Sequence, residues 1–211
     1  MKHGKFITLE GIEGAGKSTV ITTLVEALRA RGIVVRQTRE PGGTPLAERL
    51  RNLALERGSE VLSAEAETLI MFAARAVHLD NFVRAALAQG EWVICDRFTD
   101  ATRAYQGGGR GVDLALIEQL ARSVHRGLEP DLTLLLDLPV SVGLERARAR
   151  RQATGETVSD RFESETRQFF ERVRSSYLDV ARKSPDRCRI IDASADTNSV
   201  SKAVLAELQD L

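Results

Sequence analysis

Residues 11–18 read Gly11-Ile12-Glu13-Gly14-Ala15-Gly16-Lys17-Ser18, the spacing G-x-x-x-x-G-K-[ST] that suits a polyphosphate grip. Glycines let the backbone approach an anion closely. Successive N–H groups, with the positive end of the helix that follows, then point at it. In that arrangement the Lys17 ammonium reaches the terminal phosphates and the Ser18 hydroxyl takes Mg2+. A glycine-rich turn that merely caps a helix is the plain alternative, and the complete set of fixed residues disfavours it. Asp96 and Asp137 each end an apolar run, and strand-terminal acids of this kind hold Mg2+, directly or through water, in nucleoside triphosphate enzymes. The pattern alone does not choose between them, and either also suits a helix cap. Cations concentrate at Arg146, Arg148, Arg150, Arg151 and Arg161. Such a run is ordinarily a solvated helix end. Beside a phosphate cradle, arginines on a closing lid would match the charge that spreads over a moving phosphoryl group. Phe72 and Arg75 lie three apart on nearby parts of one helix face; Phe72 reads as core, whereas an arginine is seldom buried unpaired.

These groups require elements that hold them. Phe6, Ile7, Thr8 and Leu9 read as a buried strand leading into the turn, and residues 19–31 read as a helix with Val20, Leu24 and Leu28 on one face. A second strand is predicted over residues 33–38, and then a turn-rich loop Arg39-Glu40-Pro41-Gly42-Gly43-Thr44. Thr44 suits an N-cap and Pro45 the first position of a helix running to about Arg57. Ser63 opens a long helix to Gln89 with the stripe Leu69, Phe72, Ala76, Leu79, Val83 and Leu87. Strands follow at residues 92–95, 132–136 and 189–191, and helices at 113–125, from Pro139, from 162 to about 183, and at the C-terminus. Residues 152–159 read as a mobile loop. Alternating strands and helices imply an α/β fold with a parallel sheet covered on both faces, whose ligands sit beyond the strand carboxyl ends. Gly11–Ser18, Arg39–Thr44, Asp96-Arg97 and the segment after Asp137 each follow a strand.

The chain has 211 residues, 43% of them hydrophobic, which suits one compact domain over residues 1–211. Lys+Arg and Asp+Glu both total 30, which argues against bulk electrostatic capture of nucleic acid or membrane. Cys95 and Cys188 stand far apart, favouring a reduced, cytoplasmic setting over a disulfide framework or a metal cluster. No apolar run approaches membrane-spanning length, and a strand entered by Lys5 leaves no room for a leader.

The phosphate turn, Arg39-Glu40-Pro41-Gly42-Gly43-Thr44, Asp96-Arg97-Phe98 and Ala104-Tyr105-Gln106-Gly107-Gly108-Gly109-Arg110-Gly111 occur in that order. With them the chain resembles bacterial thymidylate kinases from Lys5 to about Ala193. The resemblance implies a three-layer phosphate-loop kinase fold, a five-stranded parallel sheet with a mobile lid over about residues 146–161. It implies transfer of the γ-phosphoryl of ATP to dTMP, with Mg2+, in a homodimer that pairs through the long helix. ATP would be held by Gly11, Ile12, Glu13, Gly14, Ala15, Gly16, Lys17, Ser18 and Thr19, with residues 193–196 bordering adenine. The resemblance gives Glu13 a contact to the acceptor sugar and phosphate network, Arg39 and Arg97 the acceptor phosphate, and Phe72 a stacking contact on thymine. Arg75 would bond a base carbonyl, Thr102 would lie near the base N3–H, Tyr105 would crowd the 2′ position, and Gln106 lies beside it. Asp96 matches the magnesium-side acid, with Ser18. The phosphate turn lacks a basic residue between its outer glycines, so the lid would supply it, from Arg148, Arg150 or Arg161 alongside Lys17 and Arg97. Phe98 departs from the Tyr or His common after the Asp-Arg pair. A kinase for another nucleoside monophosphate is the nearer alternative, and a non-catalytic ATP-binding switch the more distant one.

Overall fold

A computed structural model describes residues 4–56, 60–155, 161–162, 164–209 and 211. Five strands form one sheet: β1 Phe6–Glu10, β2 Val35–Arg39, β3 Trp92–Asp96, β4 Leu132–Asp137 and β5 Cys188–Asp192. Their spatial order is β2-β3-β1-β4-β5, and all neighbours run parallel. A parallel sheet needs cover on both faces. The central strand accordingly has no exposed position, and Phe6, Ile7 and Leu9 are fully buried. Side chains such as Leu9 and Leu24 each contribute about 1.5–3 kcal/mol by leaving water.

The helices are α1 Lys17–Ala30, α2 Pro45–Leu55, α3 Ala64–His78, α4 Arg84–Ala88, α5 Thr99–Thr102, α6 Leu114–His125, α7 Val140–Thr154, α8 Arg167–Lys183 and α9 Thr197–Ala206. Thr44 and Ser63 cap α2 and α3 through their side-chain oxygens, which accept from Ala47 N–H and Ala66 N–H. The strand register brings Leu9 and Arg39 level with Asp96, and Asp137 level with Asp192. The candidate residues therefore gather at one rim.

Several local expectations change. The long helix is broken by a π turn at Leu79–Val83 between α3 and α4, and its buried face holds Phe72, Leu79, Val83 and Leu87 of the stripe together with ionisable groups that the stripe left out. Leu69 is 52% exposed, while Glu67, Met71, Phe72, Arg75 and His78 are buried. A purely apolar reading missed this because the inward face carries ionisable groups that satisfy one another. The helix expected from Phe162 starts instead at Arg167, because the Thr166 hydroxyl accepts from Phe169 N–H and sets the first turn there. Residues 152–154, expected as loop, are the last turn of α7, ended by Gly155 at φ 67°. The rest of that stretch, residues 156–159, and Arg57 lie outside the described residues. The glycine-rich segment after α5 is a π turn, Arg103–Gly109. A Cβ at Gly108 would come within 2.5 Å of Ser176 Cβ on α8, so this glycine permits close helix contact.

Candidate active site

The phosphate-cradling turn runs from β1 into α1. Gly14 has φ 74°, and a Cβ there would lie 1.9 Å from the Gly143 carbonyl oxygen on α7, so only glycine fits. Gly16, at φ 87°, is the N-cap of α1, and no side chain caps the helix. Its first-turn N–H groups are thus left for an anion, as the positive end of a helix favours. Lys17 is buried, and its Nζ donates to the carbonyl oxygens of Gly11 and Ile12 at 3.1 Å each. Burial, then the neighbouring Arg97, push its pKa down to about 8 against the pull of Asp96, Glu10 and Glu13.

A cavity of about 700 Å³ opens over this turn and extends to α3 and α5. Glu13, Gly14, Ala15, Gly16, Lys17, Ser18 and Thr19 line one end. Arg39, Arg75, Arg97, Thr102, Tyr105 and Gln106 line the other, and Asp96 lies between. Arg39 Nη2 donates to Glu48 Oε2 at 2.8 Å on α2. Arg97 adopts φ 70°, a left-handed conformation uncommon for a residue with a Cβ. Its Nη2 donates to the Tyr105 hydroxyl at 3.0 Å, which orients the guanidinium into the cavity.

Arg75 is the best-fixed group at the far end. Its Nε donates to Glu40 Oε2 at 2.6 Å and its Nη2 to Thr102 Oγ1 at 3.1 Å. The guanidinium lies 4.8 Å from the Phe72 ring centre and 5.1 Å from that of Phe98. Nη1 is buried with no hydrogen-bond partner among the described residues. A buried donor left unmet costs about 1–3 kcal/mol, so this position suits a ligand acceptor atom. Glu40 also meets His78 Nδ1 at 2.8 Å, and His78 Nε2 meets Thr38 Oγ1 at 2.7 Å. Burial raises the Glu40 carboxyl, but Arg75 and His78 together overcome it and hold the group below the usual carboxylate range.

The two strand-end acids separate in the structure. Asp137 accepts twice from Arg174, at 2.7 and 2.9 Å. Asp96 faces the cavity, and its buried Oδ1 has no hydrogen-bond partner among the described residues; Arg97 Nη1 lies 3.7 Å away. Asp96 with Ser18 therefore fits a divalent cation, and Asp137 is already neutralised. Among the described residues no cluster of three metal-ligating side chains exists, so such an ion would take most of its ligands from phosphate and water.

Five expected residues do not line the cavity: Gly11, Ile12, Phe72, Arg148 and Arg161. Phe72 packs with Val112, Ile117 and Ala121, and Met71, the preceding residue, reaches the cavity instead. Met71 stands four before Arg75, and i,i+4 residues share a face; the choice of an aromatic hid that signal. Arg148 is exposed and turned away from the cavity. Arg161 is held by the Ala54 carbonyl at 3.2 Å and by buried Glu67 at 3.2 Å, whose other oxygen takes Gln106 Nε2 at 2.8 Å. Arg150 does line the cavity, and so does Arg146, which donates to the Ala193 carbonyl at 2.8 Å. Residues missed by sequence reading also appear there: Glu40, Phe98 and Phe162.

The family model described as thymidylate kinase matches residues 9–204. The thymidylate kinase of Pseudomonas syringae pv. syringae (strain B728a) is 54% identical over 99% of this chain and 98% of that protein. The thymidylate kinase of Alcanivorax borkumensis is 50% identical over 99% of this chain and 97% of that protein. The crystal structure of thymidylate kinase from Ehrlichia chaffeensis, 35% identical, superposes with a TM-score of 0.77 and covers 98% of this chain and 99% of its own. Extending from the phosphate turn to α9 and supported by relatives matched end to end, the similarity shows that this chain belongs to the thymidylate kinase family.

Proposed function

We propose that this protein transfers the γ-phosphoryl group of ATP to dTMP, giving dTDP and ADP. The observation that carries the reading is a single cavity with a phosphate-cradling turn at one end and, at the other, Arg75 with a buried donor unmet. A phosphate monoester has a second pKa of about 6, so the acceptor arrives largely as a dianion and needs no base. One of its oxygens bonds to the γ-phosphorus as the bond from that phosphorus to the β–γ bridging oxygen breaks. The protein aligns two anions that repel and matches the charge that spreads between them.

Lys17 and the turn N–H groups hold the donor phosphates, with Gly11 to Thr19 wrapped around them. Arg39 and Arg97 hold the acceptor phosphate, and Glu13 reaches toward the acceptor sugar. Arg75 Nη1 bonds a base carbonyl, Thr102 lies near the base N3–H, Tyr105 crowds the 2′ position, and Gln106 closes that side. Met71 and Phe98, rather than Phe72, form the apolar contact to the base. Arg150 is the lid arginine offered to the phosphates, ahead of Arg148 and Arg161, while Arg146 is held at the carbonyls of Ala193 and Ser194. Mg2+, held by Ser18 and by Asp96 directly or through water, would neutralise charge on the transferring phosphates. The family reading also brings a cytoplasmic homodimer; Leu53 on α2 and Leu69 on α3, 58% and 52% exposed, give apolar surface for pairing.

The test is an acceptor screen with Mg-ATP and dTMP, dUMP, dGMP, CMP or AMP. Turnover highest with dTMP is the expected result. A clear preference for another acceptor would move the reading to that monophosphate, and no turnover with any would sink it.

A further inference from the structure

Glu10 ends β1 immediately before the phosphate turn, is 1% exposed, and does not line the cavity. Nothing in the reaction above uses it. Its Oε1 accepts from Phe98 N–H at 2.7 Å and its Oε2 from the Tyr177 hydroxyl of α8 at 2.8 Å. Phe98 follows Arg97, whose backbone sits at φ 70°. Such a conformation persists only where its surroundings over-determine it. Here Arg97 N–H donates to the Leu9 carbonyl at 2.9 Å, and Cys95 Sγ donates to the Arg97 carbonyl at 3.0 Å. The Phe98 N–H is the remaining tie, and Glu10 alone supplies it among the described residues. Tyr177, itself buried, fixes the carboxyl from behind, and its ring meets Tyr105, the partner of the Arg97 guanidinium, edge-on at 6.2 Å.

We infer that Glu10, braced by Tyr177, is a positioning residue that holds Arg97 in its left-handed conformation and so aims the guanidinium at the acceptor phosphate. The inference rests on the functional reading above for the identity of that phosphate. Glu10 thus braces the acceptor arginine from β1, the strand that leads into the donor turn, through bonds to Phe98 and Tyr177 and none to the turn itself among the described residues. Burial, then Asp100, push its carboxyl up to about 8 against the pull of Arg97 and both hydrogen bonds. A neutral amide is therefore its nearest mimic.

The experiment compares Glu10→Gln, Glu10→Ala and Tyr177→Phe with the unaltered protein. It reads dTMP and thymidine binding by calorimetry, steady-state kinetics, and the crystal structure of any variant that folds. Glu10→Ala and Tyr177→Phe are expected to weaken dTMP binding and kcat/KM for dTMP at least about tenfold, because a misplaced charge donor loses the phosphate. Thymidine binding and KM for ATP should change less than about twofold, since neither uses Arg97. Glu10→Gln should restore most of the loss. Equal losses for dTMP, thymidine and ATP would reduce Glu10 to general packing and overturn the inference, as would Glu10→Gln behaving like Glu10→Ala. If Glu10→Ala does not fold, Tyr177→Phe carries the comparison. If the unaltered protein binds no dTMP, the functional reading fails instead. The positioning role is then decided by whether Arg97 leaves φ 70° in the variant crystals; an unchanged Arg97 overturns it.

Discussion

Lys17 shows how one side chain reports its own ligand. Its Nζ donates to two carbonyl oxygens, and burial and Arg97 outweigh Asp96, Glu10 and Glu13 to bring it to about 8 from an ordinary 10.5. A bound triphosphate favours the charged ammonium and lifts that value again. The sign follows directly: between the two values the free protein holds fewer protons than the complex, so ATP binding takes up a proton. Calorimetry in buffers of different ionisation enthalpy should find uptake largest near pH 9, roughly midway between the two values, and small below about pH 7. Lys17→Met should abolish it. An unaltered protein that binds ATP with no uptake at pH 9 would show that the ammonium is not at the phosphates. Lys17→Ala should also cut turnover at least about a hundredfold, as removal of a charge-stabilising donor does.

Helices α3 and α7 each present one face to the cavity, and their residues should divide accordingly. On α3, Met71→Ala should raise KM for dTMP, because Met71, although only 6% exposed, lines the cavity. Phe72→Ala should instead cost about 3–5 kcal/mol of stability in urea titrations, as loss of a buried aromatic does. The reverse pattern would restore Phe72 as the stacking residue. On α7, Arg150→Ala should lower kcat at least about tenfold, and Arg148→Ala should leave it within about twofold; equal effects would contradict the assignment of faces. The phosphate turn and the alternation that gives the parallel sheet were legible in the sequence as patterns, whereas Asp96 and Asp137 were alike by pattern and only the family resemblance singled out Asp96. The inward face of α3 was not legible. It is buried through Glu67, Arg75 and His78, whose partners Gln106, Glu40 and Thr38 lie far away in the chain. Hydrophobic periodicity is blind to such pairing. Gly108 and Gly109 likewise answer to α8, about sixty or more residues on, which no local pattern shows.

At the scale of the molecule, donor and acceptor ends share one cavity of about 700 Å³. A compound joining adenosine and thymidine through a chain of phosphates should therefore bind both ends at once. It should bind at least about a hundredfold tighter than either nucleotide alone, the gain expected when a second contact becomes intramolecular. Affinity no better than that of ATP would mean the two ends are not bridged. The sheet gives this geometry a further consequence. Arg97 is hung on β1 through the Leu9 carbonyl and Glu10, and the phosphate turn leaves the same strand at Gly11. On the proposed reading, the spacing between the reacting phosphates is thus written into the central strand, while the base is read from α3 and α5. Redesign for a different base could then proceed on the two helices as an independent module, with the chemistry carried along unaltered.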